Sequence, residues 1–293
     1  MLFYTKKVLF LSKRRTFCTA ISVFLLLLRT IITHTDIYNM RNLPPVTRYL
    51  LLSNFIVWML DAVLQRYGID LTSYLGLHYI TASGFHFWQP ITYMFMHANF
   101  GHIFCNMFAV LMFGPVLENE WGSRKYLIYY LVCGIGAAIV QECVWAMMYQ
   151  PALSAMPVDQ AAYLANRPVT IGASGAVFGI LFAFGWLFPN VPMYILFVPI
   201  PIRARIFVII YAAIELVAGL GNIIGVGGID NVAHFAHLGG MLFGWLLLLW
   251  WRHGKGDDIR RWWYNLRRKF SKYTPLDSSK DKNYSDYHYQ KRV

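Results

Sequence analysis

Charge is what this chain has least of. Asp, Glu, Lys and Arg make up 14% of its 293 residues, where a soluble domain carries about a quarter. With 57% hydrophobic residues and a positive mean hydropathy, that shortage excludes a water-soluble globule and points to a polytopic membrane protein. Cysteine is scarce as well. Cys18, Cys105, Cys133 and Cys143 lie in or beside apolar stretches, and no CxxC pair occurs. Neither a disulfide framework nor a zinc knuckle is expected. The chain has no HExxH, and along the sequence no carboxylate sits at ligand spacing from His102, His234 or His237. An intramembrane metalloprotease is therefore disfavoured, and no metal or cofactor is expected. Asp61 is the one aspartate well inside an apolar run, one short of an aspartyl protease's pair. An internal repeat, which a small transporter would show, is also missing.

The charge that is present is unevenly placed. The net charge is +12, and much of it lies in the first 48 residues and after Trp251. The basic tail interleaves aromatics, as in Arg260-Arg261-Trp262-Trp263-Tyr264. Directly after an apolar run, that composition reads as an anchor on anionic lipid rather than a nucleic-acid patch. Aromatics reach 17%, and many Trp and Tyr mark the ends of apolar runs, where interfacial belts form.

Prolines and charges divide the chain. A first apolar run, Phe17 to Ile32, follows Lys6, Lys7, Lys13, Arg14 and Arg15 and is interrupted by Arg29. It is short against the roughly 20 residues of a span. After the break at Met40-Arg41-Asn42-Leu43-Pro44-Pro45, spans are expected over Val46 to Leu64, Phe100 to Leu117, Tyr126 to Met148, Ala173 to Phe188, Ile206 to Leu220 and Val232 to Trp251. Residues 65–99 are too polar to cross, 149–170 read as a polar loop with three prolines, and 190–205 as extended or irregular. Asp230 or Asn231 would cap the last span. Arg41 and Arg48, Arg124 and Lys125, Arg203 and Arg205, and the tail fall in alternate connections. Six spans with both ends cytoplasmic satisfy the positive-inside rule, and a seventh would put the N-terminal cluster on the wrong face. The expected organisation is an N-terminal extension over 1–39, a membrane domain over 40–251 and a basic cytoplasmic tail over 252–293.

The chemistry concentrates in three stretches. Ile171-Gly172-Ala173-Ser174-Gly175-Ala176-Val177-Phe178-Gly179 sets one hydroxyl among small residues at the start of the fourth span. A lone membrane serine ordinarily bonds a carbonyl one turn back or lets a neighbouring helix come close. In a first turn, however, free N–H groups and the positive end of the dipole favour a developing oxyanion. Ala236-His237-Leu238-Gly239-Gly240 through Gly244 carries a histidine ahead of a flat glycine face, which lets the fourth and sixth helices nearly touch. His234, one turn earlier, is the competing base. It lacks a glycine three residues on, and its blander role is a hydrogen bond to a loop or a neighbouring helix. His102 and Asn106, at i and i+4, share a face. They are either interhelical polar glue or donors to an oxyanion. His97 can support their loop, and the Gly-rich stretch 219–228 can cap the site.

Together, His102-xxx-Asn106, Gly172-Ala173-Ser174-Gly175 and Ala236-His237-xx-Gly240-xxx-Gly244 resemble the rhomboid family of intramembrane serine proteases. The motifs stand in the family's order on the second, fourth and sixth spans, and the resemblance covers about residues 46–251. It implies an all-α polytopic membrane protein, a six-transmembrane-helix rhomboid-like bundle. It further implies a dyad of Ser174 and His237 without an acid, and an oxyanion hole of His102, Asn106 and the Ser174 N–H. Glu118 is implied as structural, and Phe178 as the aromatic beside the catalytic histidine. The implied partners are transmembrane protein substrates and the bilayer, with no nucleic acid, in the plasma or inner membrane; no oligomeric state follows. One departure is Trp88-Gln89, where the family often has Trp-Arg. The competing expectation is a catalytically inactive rhomboid-like protein that binds transmembrane clients. Against it, both Ser174 and His237 are present.

Overall fold

The computed structural model describes residues 43–195, 198–224 and 233–253. The expectations for residues 1–39, for the tail beyond His253 and for a cap at Asp230 or Asn231 fall outside the described residues.

The first long helix, α1 (Pro45–Leu64), begins with Pro at its first position, where the missing N–H has no helical partner to lose. Its opening N–H groups are instead met by Glu118 from the next span. Oε1 accepts from the Val46 N–H at 2.9 Å and Oε2 from the Thr47 N–H at 2.7 Å, and the Thr47 and Ser123 hydroxyls donate to the same carboxylate. A carboxylate on a helix N-terminus also meets the positive end of the dipole. Glu118 thus fastens the starts of two helices, a structural role in keeping with the resemblance.

Beyond the first candidate span, which ends at Tyr67, residues 68–99 hold no helix long enough to cross a membrane, but the segment 65–99 is folded. A 3-10 turn (Gln65–Tyr67) leads to α2 (Thr72–Leu75), β1 (Leu77–His78), α3 (Gln89–Thr92) and a second 3-10 turn (Tyr93–Phe95). Gln89 is fully buried. Its Oε1 accepts from the His78 N–H at 3.2 Å, and its Nε2 donates to the Tyr74 and Gly84 carbonyls at 3.3 and 2.8 Å. Both ends of the amide are used, so glutamine in the Trp-Arg position ties this loop together without a charge.

α4 (Phe100–Trp121) is capped by Asn99, whose Oδ1 accepts the His102 N–H at 2.9 Å, and ends at Gly122. α5 (Ser123–Ala155) follows at once. The polar loop expected over 149–170 is largely helical instead: α5 runs through Pro151 to Ala155, and α6 (Val158–Ala165) forms behind Pro157. Pro151 removes one ladder bond in the last turns of α5, and Pro157 occupies the N-cap, where proline loses nothing. β2 (Val169–Thr170) then pairs antiparallel with β1, Leu77 opposite Thr170 and His78 opposite Val169. The loop after the first span is thereby tied to the strand that leads into Ser174.

α7 (Ser174–Leu187) has 14 residues. Beyond it, the extended stretch is a hairpin of β3 (Pro192–Ile195) and β4 (Val198–Arg203). α8 (Ala204–Ile224) and α9 (His234–His253) complete the described chain, the part of α9 from Trp245 belonging to a unit of its own. Among the described residues, five helices are long and apolar enough to cross a membrane, and α7 is a shorter apolar sixth. α1 exposes Leu52, Phe55, Ile56, Leu60 and Val63, and α8 exposes Ile206, Ile209, Ile214, Val217 and Leu220. Such rows would aggregate in water and suit lipid. The chain is an all-α, multi-pass membrane protein.

The centre of the body is α5 against α7. Tyr126, Tyr129, Tyr130 and Cys133 are fully buried on α5. Tyr129 donates its hydroxyl to the Gly179 carbonyl at 2.9 Å, and Tyr93 donates to the Gly134 carbonyl at 2.7 Å. A helix carbonyl thus gives the polar end of each of these two tyrosines a partner in an apolar interior.

Candidate active site

The site starts with a turn. Gly172 has φ +130, a conformation open in practice to glycine alone, and its N–H donates to the Tyr93 carbonyl at 2.9 Å. A Cβ there would lie 2.6 Å from His102 Nε2 and 3.6 Å from Ser174 Oγ. The glycine therefore keeps clear the space that both side chains face. Ala173 is the N-cap and Ser174 the first residue of α7, so its N–H has no partner inside the helix.

α9 reaches this turn through glycine. A Cβ on Gly240 would overlap the Gly175 carbonyl oxygen and stand 2.7 Å from its carbon, so the two backbones touch. That approach sets His237 Nε2 2.8 Å from Ser174 Oγ. Phe178, one turn along α7, stacks on the His237 ring at 4.2 Å between centroids and 7° between planes. The plate fixes the ring's orientation, and the resemblance led to this aromatic.

His102 and Asn106 stand on the same side of α4. His102 Nδ1 takes a long contact, 3.5 Å, from the Ala98 N–H. That leaves the ring proton on Nε2, the nitrogen facing Gly172. Asn106 is buried, and its Nδ2 has no hydrogen-bond partner. An amide donor left unmade in an apolar interior is expensive, and a site waiting for an acceptor is one reason to keep it. His97 packs edge-on against His102, with centroids 5.0 Å apart. Burial, and then the neighbouring His102, push His97 down to about 4. It is neutral at working pH and supports His102 without adding a charge.

A rhomboid domain model matches residues 84–253. The chain belongs to the rhomboid family. Over 205 residues it is 32% identical to rhomboid-like protein 11, chloroplastic, of Arabidopsis thaliana, covering 69% of this chain and 63% of that one. It is 29% identical over 154 residues to rhomboid protein 1, mitochondrial, of Saccharomyces cerevisiae, and 30% identical over 153 residues to rhomboid-like protease 5 of Toxoplasma gondii. Those matches each cover 52% of this chain, and 40% and 15% of the relatives' lengths, so this rhomboid spans less than two-thirds of each of these three relatives.

One feature departs from the rhomboid expectation of a dyad without an acid. Glu215 of α8 is buried, and its Oε2 lies 2.8 Å from His237 Nδ1 and 2.7 Å from His234 Nδ1. The spacing argument, that no carboxylate stands near these histidines, holds along the chain and fails in space, because Glu215 arrives from another helix. The signal was a glutamate in the middle of the fifth apolar run. An ionisable residue inside a span is a functional candidate by default. His234 has the partner on a neighbouring helix expected of it. The three ligand atoms lie within 4.8 Å of one another, a donor set a divalent ion accepts. Two imidazoles with their protons on Nδ1 satisfy that carboxylate oxygen equally well by hydrogen bonds alone. Of the Gly-rich stretch 219–228, residues 219–224 are part of α8; the rest lies outside the described residues.

Proposed function

We propose that this rhomboid is an intramembrane serine endopeptidase that cleaves a peptide bond in or near a substrate's transmembrane segment. The observation that carries the reading is the 2.8 Å contact between Ser174 Oγ and His237 Nε2, made at a helix N-terminus. Ser174 Oγ attacks the scissile carbonyl carbon while His237 Nε2 takes the hydroxyl proton. The carbonyl oxygen becomes an oxyanion, met by the Ser174 N–H, Asn106 Nδ2 and His102 Nε2. Its collapse breaks the C–N bond, His237 returns the proton to the leaving amine, and Ser174 carries the acyl group. Water deprotonated by His237 then releases the second product and restores the serine. Substrate helices have their carbonyls tied up, so segments with small or helix-breaking residues near the cut suit the site.

On the alternating basic loops we place both termini on the cytoplasmic side, or on its counterpart in an organelle. The catalytic unit is proposed as residues 40–251, with 1–39 an extension and 252–293 a basic tail. Labelling of the purified protein by a fluorophosphonate tests the function. Wild type is expected to react and Ser174→Ala to be inert. Ser174→Ala and His237→Ala should each lower turnover by about four orders of magnitude or more, with the double variant little worse. Proteolysis persisting in Ser174→Ala would sink the serine-protease reading, and a wild type that neither labels nor cleaves would leave a client-binding protein.

A further inference from the structure

We infer that Glu215 is the positioning residue of a hydrogen-bonded relay, Ser174–His237–Glu215–His234, so that this rhomboid works with an acid and not with a bare dyad. The inference rests on the protease reading above.

The tautomers follow from the geometry. For His237 Nε2 to accept the Ser174 proton, its ring hydrogen must be on Nδ1, and Nδ1 faces Glu215 Oε2 at 2.8 Å. His234 Nδ1 faces the same oxygen at 2.7 Å. Two nitrogens bearing only lone pairs would repel that oxygen, so both donate. One carboxylate oxygen receiving two N–H groups is held as the anion.

The charge balance favours the reacting state. At rest the cluster is one carboxylate with two neutral imidazoles. When Ser174 Oγ–H gives its proton to His237 Nε2, an imidazolium forms against that carboxylate, and the pair is neutral in an apolar interior. The Nδ1 proton stays on His237, and none moves to Glu215. The groups facing His237 from each packed element are Ser174 and Phe178 on α7, Glu215 on α8, His102 on α4 and His234 on its own helix. Of these, Glu215 alone can carry a negative charge at rest. His234 contributes by holding that anion in place, a different task from the competing base considered from the sequence.

The test is Glu215→Gln and Glu215→Asp in the full chain, in proteoliposomes, with kcat and KM measured against a transmembrane peptide substrate. A glutamine can turn its amide N–H to His237 Nδ1 and force the proton onto Nε2. The expected result is a fall in kcat of about 10²-fold or more, with KM changed by less than about twofold. Glu215→Asp keeps the charge and should recover part of kcat with KM again little changed. A folded Glu215→Gln with wild-type kcat overturns the relay. Fluorophosphonate labelling separates the two readings. A wild type that does not label takes the protease reading down and the relay with it. A Glu215→Gln that labels as fast as wild type defeats the relay alone. If Glu215→Gln does not fold, ¹⁵N-histidine NMR of wild type decides. Nδ1–H tautomers with strongly deshielded protons are expected at His237 and His234, and an Nε2–H tautomer at His237 overturns the inference. So does stoichiometric zinc retained through purification, which would put the same three residues around a metal.

Discussion

Gly240→Ala is the sharpest single perturbation of this site, although residue 240 touches no reacting atom. Its Cβ would overlap the Gly175 carbonyl oxygen and stand 2.7 Å from the Gly175 carbon. Both are backbone atoms of α7, so no rotamer change relieves the overlap. α9 has to move away by more than an ångström to restore ordinary contact. His237 lies three residues earlier on the same helix, and its bond to Ser174 Oγ is 2.8 Å long. A displacement of that size takes it beyond about 3.5 Å, where a hydrogen bond no longer exists. Misplacement by about 1 Å costs on the order of 10²-fold in rate, and overpacking costs about 1–3 kcal/mol in stability. Turnover in proteoliposomes and thermal unfolding in detergent should fall together. Gly101→Ala is the control: its Cβ meets nothing closer than Asn99 Oδ1 at 3.4 Å, and activity should be unchanged. A Gly240→Ala protein with wild-type kcat and Tm would show that α7 and α9 are not in backbone contact. The whole placement of His237 on Ser174 would then have to be abandoned.

Other outcomes follow from the same geometry. Asn106→Ala should lower kcat by roughly 10²–10³ if Nδ2 is an oxyanion donor; because that donor is buried and unpartnered, Tm should hold or rise, and a fall in both would make Asn106 interhelical glue instead. Glu118→Gln should show the reverse pattern, a loss of about 1–3 kcal/mol in denaturant titrations with kcat kept, since its four contacts fasten Val46, Thr47 and Ser123. A chain beginning at Met40 is expected to insert and cleave like the full one; an inactive truncation, read in the same proteoliposome assay, would make residues 1–39 part of the working unit.

The helices were legible because hydropathy is a local signal. The apolar runs and the break at Pro44-Pro45 belong to consecutive residues. Ser174 at a helix start, the glycine approach of α9 and the shared face of His102 and Asn106 were legible for the same reason, since a turn or a heptad contains each of them. The helical course of 149–165 was missed because polar composition and prolines were weighed above position. Glu215 was missed for a deeper reason. Nineteen residues separate it from His234 and 22 from His237, and no periodicity connects two helices across a loop. Gln89 is a similar case: its three bonds reach 11, 15 and 5 residues back along an irregular loop. The sequence could mark it as a departure and could not say that an amide fills the place.

The length of α7 connects the stability of the bundle to its chemistry. Fourteen residues make about 21 Å of helix, against a hydrocarbon core of about 30 Å. α4 and α5, with 22 and 33 residues, have no such deficit. If Leu187 reaches one interface, Ser174 stops well short of the other. The free N–H groups of the first turn would then stand at a depth where water does not reach them from lipid, and each unsatisfied group there costs several kcal/mol. The chain meets this by surrounding that end with polar structure. β2 is tied to β1, Gly172 turns against Tyr93, and His102 brings a ring nitrogen to the same turn. Extending α7 by another turn would relieve the deficit and remove the site, because Ser174 would then sit inside a closed ladder with its N–H spent on a carbonyl. The orphan N–H groups that make a short helix unfavourable in a membrane are the ones that would receive an oxyanion. The partly buried position of the serine and the donors proposed to activate it therefore have one physical origin.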